Sequence, residues 1–106
     1  MMTIQKISKS RVLKLSNETE YLVWKGCAGP IEDWYNGITN MLIENEIADK
    51  NYKMTEMYVF DNNGLTCLLT PLDKLNIGKL AMMRLMWRET FGTMWLSDYV
   101  NNGYLD

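Results

Sequence analysis

Thr70 to Gly92 reads TPLDKLNIGKLAMMRLMWRETFG, the longest uninterrupted periodic stretch of the chain. It predicts a helix. Thr70 supplies a side-chain acceptor for a free amide of the first turn, Pro71 suits the first helical position, where no donor is needed, and Asp73 sets a carboxylate at the positive end. Gly92 is the stop. Steps of three and four collect Leu72, Leu75, Met82, Met83, Met86 and Trp87 on one stripe, the expected core face. Asp73, Lys74, Arg84 and Arg88 fall opposite. Lys79 interrupts the stripe, and Asn76 to Gly78 marks a candidate kink.

Working back from this helix, Asn62-Asn63-Gly64 separates the β-rich runs Thr55 to Asp61 and Leu65 to Leu69. Asn-Gly tolerates the positive φ that a tight primed turn needs, so a hairpin is expected here. Pro30, followed by Glu32 and Asp33, opens an earlier helix that runs to about Asp49. Its inward stripe is Ile31, Trp34, Tyr35, Ile38, Met41 and Leu42, and Glu32, Asp33, Asn36, Asn40 and Glu44 face away. Before it, RVLKLS (Arg11 to Ser16) and EYLVWK (Glu20 to Lys25) read as two strands joined by a polar turn, a first hairpin. Beyond Gly92, Thr93 to Val100 adds a short helical turn or two, ended by Asn101-Asn102-Gly103.

The expected fold is therefore α+β in the order ββαββα. Two hairpins give a four-stranded antiparallel sheet, and the two main helices pack on one face because each has one apolar stripe. A short C-terminal helix follows. Pro30-Ile31-Glu32 and Pro71-Leu72-Asp73 open the two helices alike, a match that two well-made helix starts explain without duplication. The 106 residues are 47% hydrophobic and 23% charged, which fits one ordered domain with one core.

The net charge of −2 offers no global attraction to nucleic acid or to an anionic membrane. Locally, Lys6, Lys9, Arg11 and Lys14 precede an acidic region from Glu18 to Asp49. Mutual neutralisation in the fold is the simpler reading, and nucleic-acid binding through this basic strip with Trp24 is the weaker one. The first residues, MMTIQKISKSRVLKLS, break every apolar run with charge, so neither a signal peptide nor a membrane span is expected. Cys27 and Cys67 match no metal-ligand spacing and read as free thiols, with a cytoplasmic location as the default.

The chain has no histidine, and so lacks the commonest general base and the commonest metal ligand. No metal, cofactor or catalytic residue is expected. Cys27 lies in the loop Gly26, Cys27, Ala28, Gly29 just ahead of a helix start, where amide dipoles favour a thiolate or an anion. Glu32 and Asp33 oppose both. This loop carries the second functional expectation, a small-molecule or anion-binding domain with a possible thiol-dependent activity.

The first expectation is a non-enzymatic protein-binding module, an adaptor or inhibitor that covers a partner's surface, or a homodimer. Small domains encoded by phages and mobile elements often inhibit host enzymes such as defence nucleases in this way, an association rather than a deduction. Four Trp, six Tyr and nine Met exceed what so small a core needs, and these residues are enriched at interfaces. With Leu75, Met83 and Met86 turned inward, Ile77, Ala81, Arg84, Leu85 and Arg88 turn outward and form the expected partner-binding face.

Overall fold

The computed structural model describes residues 3–105. Five strands form one mixed sheet in the order β1 (Thr3–Lys6), β3 (Glu56–Asn62), β4 (Leu65–Pro71), β2 (Tyr21–Cys27), β5 (Met94–Trp95). β1 runs parallel to β3, and the other pairings are antiparallel. Four helices complete the compact α+β fold: α1 (Lys9–Ser16), α2 (Ile31–Glu44), α3 (Ile77–Phe91) and α4 (Leu96–Asn101).

The sheet is covered on both faces, not one. Leu22 and Trp24 of β2, Met57 and Val59 of β3, and Leu68 of β4 join Ile38 and Leu42 of α2 and Leu80 and Trp87 of α3. The alternate residues, Tyr21, Val23, Tyr58, Phe60, Cys67 and Leu69, pack with Val12 and Leu15 of α1 and Leu96 and Tyr99 of α4. A strand buried on both sides cannot alternate apolar with polar, which is why YLVW and MYVF are continuous apolar runs.

The first expected hairpin is absent. Residues 9–16 form a helix because Ser8 Oγ accepts the Arg11 amide at 3.2 Å, and Val12 and Leu15, three apart, share the buried side. The second hairpin forms as expected. Asn62 pairs with Leu65, and Asn63 and Gly64 between them have φ of 53° and 81°.

α3 starts at Ile77 rather than at Pro71. Thr70 is buried in β4, where its Oγ1 accepts the Trp24 indole N–H at 3.1 Å, and Pro71 closes the strand opposite Tyr21. Asn76 takes over as cap, accepting the Lys79 amide at 3.1 Å. The likeness between the two proline segments thus joins a helix start to a strand end. Gly92, in the left-handed region at φ 61°, ends α3 as expected. α2 stops at Glu44, before the expected Asp49, because Glu46 takes a positive φ and the Ile47 and Ala48 amides turn back to the Leu42 carbonyl.

Candidate functional site

α3 is apolar on two sides. Leu80 and Trp87, seven residues apart, are buried, and Trp87 packs on Trp24 with ring centroids 5.5 Å apart. On the opposite side Met82 and Met86 are 72% and 71% exposed, with Leu85 at 53%, and Ile77 on a flank is 46% exposed. Met82 and Met86 were expected in the core, and this is a correction. A helix beginning at Ile77 needs only one side for the sheet, and Leu80 and Trp87 fix which side that is.

The expected partner-binding residues divide. Ile77, Leu85 and Arg88 are exposed, whereas Ala81 and Arg84 are half-buried. Arg84 lies over the Trp95 ring at 5.3 Å, Thr93 Oγ1 donates to its carbonyl at 2.8 Å, and its Nε is buried without a hydrogen-bond partner. Arg84 is thus turned toward the domain, while Arg88 stands in solvent. The acidic segment after α2 engages neither arginine; Glu46 pairs with Lys79 at 3.5 Å.

α2 and α3 run antiparallel on their face of the sheet. Trp34 near the start of α2 meets Phe91 at the end of α3 edge to face, at 5.7 Å. At the other end the Asn76 amide donates to the Ile47 carbonyl at 2.7 Å. A groove of about 390 Å³ lies beside the Trp34–Phe91 contact. Trp34, Met41 and Phe91 wall it, buried Ile38 lies beneath, and Asp33 is its one charged residue. Gly37 opens it: a Cβ there would meet nothing within 4 Å.

Of the expected loop Gly26, Cys27, Ala28, Gly29, the first two are instead the end of β2, with Cys27 paired to Thr66, and Ala28 borders the groove, its carbonyl accepting the Trp34 indole N–H at 2.8 Å. Cys27 is half-buried, with its Sγ 3.5 Å from the Trp24 carbonyl. Burial, reinforced by Cys67, pushes the Cys27 thiol up to about 12, so it stays protonated at neutral pH. Both cysteines are free. α2 has no side-chain cap at Pro30, and Glu32 and Asp33 stand exposed in its first turn.

The basic strip does not gather around an aromatic platform. Trp24 is wholly buried with its indole engaged by Thr70, and Lys6 pairs with Asp61 at 3.0 Å. Among the described residues no three Cys, Asp or Glu side chains come together as a metal site, and no helix is long and apolar enough to cross a membrane.

Met82, Met86 and Gly37 escaped the sequence reading, although a signal for each was present. The stretch from Ile77 to Phe91 has apolar residues all round, which a helix with one buried side does not need, and a glycine inside α2 is a helix weakener without a turn to explain it. Comparisons with protein-family models, with curated proteins and with solved structures found no match for the chain.

Proposed function

We propose that this chain is a non-enzymatic protein-binding module, an adaptor or inhibitor that docks through the outward side of α3. One observation carries the reading. Met82, Leu85 and Met86, three and four residues apart, expose large apolar side chains on one side of a helix whose other side already serves the core, with exposed Ile77 on its flank. Scattered apolar residues are ordinary on a surface, but a contiguous set on one element is the mark of an interaction surface. Methionine suits the task because its flexible thioether adapts to a partner's contour. Arg88 at the edge of the patch adds a planar, always charged anchor. The occupant is a protein partner or a second copy of the chain. The protonated Cys27 thiol lends no support to a thiol-dependent activity at the end of β2.

The test compares wild type with Met82→Glu plus Met86→Glu. Wild type is expected to form a dimer by light scattering or to retain a stoichiometric protein from lysate of its source cell. Both side chains are exposed, so the variant should keep its thermal midpoint within about 0.5 kcal/mol of stability and lose the association. A wild-type protein that is monomeric and retains nothing, or a folded variant that binds as before, would overturn the reading.

A further inference from the structure

We infer that the groove between the start of α2 and the end of α3 receives a lysine or arginine of the docking partner, carried on an apolar helical segment. The inference rests on the binding-module reading and deepens it. Three observations converge on this occupant.

The first is shape and lining. A groove of about 390 Å³ walled by Trp34, Met41 and Phe91 fits one long side chain and its neighbour, and it offers aromatic and thioether surface to an aliphatic stem. The second is charge. Asp33 is the groove's one ionisable residue, and the ion pairs of the described residues, Lys6 with Asp61 and Lys79 with Glu46, leave it unengaged. Glu32 adjoins it in the same turn, and both are exposed. A cation above Trp34 and beside Asp33 gains from the ring quadrupole and from the carboxylate together. An anionic occupant meets repulsion there.

The third is Gly37. Inside a helix, glycine gives up about 0.5–1 kcal/mol relative to alanine, and nothing in the fold here requires it: its φ lies outside the left-handed region, and the space over its Cα is empty. The absent side chain leaves the groove open. Lys79 pairs with Glu46 in the turn just past the end of α2, so the edge of α3 that bears Lys79, Met83 and Met86 at helical spacing is the one turned toward that turn. Phe91, the α3 residue that walls the groove, lies five residues beyond Met86, so a single amphipathic helix of a partner is long enough to reach both.

The experiment titrates ¹⁵N-labelled protein with two capped helical peptides that share a leucine stripe and differ at one position, lysine in one and glutamate in the other. The lysine peptide is expected to shift the Trp34 indole N–H and the Gly37 amide saturably, and to bind at least about fivefold tighter than its glutamate twin. Asp33→Asn should erase most of that preference. Gly37→Leu, at an exposed helix position with free space, should stay folded and abolish the shifts. Equal affinity for the two peptides, an unchanged preference in Asp33→Asn, or shifts that persist in folded Gly37→Leu would overturn the inference. So would shifts confined to Met82, Leu85 and Met86, an outcome that leaves the α3 docking surface standing. No response to either peptide anywhere would overturn the groove assignment, and the dimerisation and retention measurements on Met82→Glu plus Met86→Glu would then judge the wider reading alone.

Discussion

Gly37 and Gly92 show how differently one residue type is used in this chain. At Gly92 the backbone has φ 61° and an added Cβ would meet the Lys25 Cβ at 3.0 Å, so both strain and crowding exclude a side chain. At Gly37 neither applies. Gly37→Ala is accordingly expected to raise stability by about 0.5–1 kcal/mol, read as a higher urea midpoint with an unchanged slope. A loss of stability would mean that the α2 backbone near Gly37 is not ordinary helix. Thr70 is the counterpart among polar residues: held inside β4, where its hydroxyl satisfies the buried Trp24 indole, it lies six residues short of the helix cap, and that task falls to Asn76.

At the scale of elements, α3 separates two kinds of methionine and leucine that look alike in sequence. Leu80 is fully buried, so Leu80→Ala is expected to destabilise by about 2–5 kcal/mol. Met86, 71% exposed, should cost less than about 0.5 kcal/mol when changed to alanine. Similar losses at both positions in denaturant unfolding would mean that the rotation of the helix is wrong. Local chemistry made several elements legible. Asn63-Gly64 fixed its hairpin, Gly92 fixed the end of α3, and the α2 stripe of Ile38 and Leu42 was read correctly, because turn geometry and helical period depend on near neighbours. The start of α3 was not legible, since it depends on Trp24, a residue on another strand. α1 was misread because VLKL suits a strand and a short helix alike, and Ser8 was the overlooked arbiter. The exposure of Ile77, Leu85 and Arg88 was anticipated, while Met82 and Met86 were assigned to the wrong side of α3 for want of its true first residue.

The whole molecule is a sheet pressed between two helical layers, and each layer buries groups that resist ionisation. Burial is the leading cause throughout. It pushes Cys27 and Tyr52 on the α2–α3 side, and Tyr21 and Tyr99 on the α1–α4 side, up to about 12, and it raises Cys67 as well. An unfolded thiol ionises near 9.0 and an unfolded tyrosine near 10.0. Above pH 9 the unfolded chain therefore holds fewer protons than the native one, and stability must fall as pH rises. The contribution of these groups is fully present well below pH 9, declines through pH 9 as the thiols of the unfolded chain ionise, declines more steeply through pH 10 as the tyrosines join, and is gone once pH passes about 12. Urea midpoints measured at pH 8, 9, 10 and 11 should fall least over the first interval and more over each of the next two. Cys27→Ala removes one of the two thiols, so whatever it does to stability at pH 8, its decline between pH 9 and 10 should be shallower than that of wild type. Parallel declines in the two proteins would mean that Cys27 ionises as readily in the fold as outside it, and the end of β2 would then hold an accessible thiol after all.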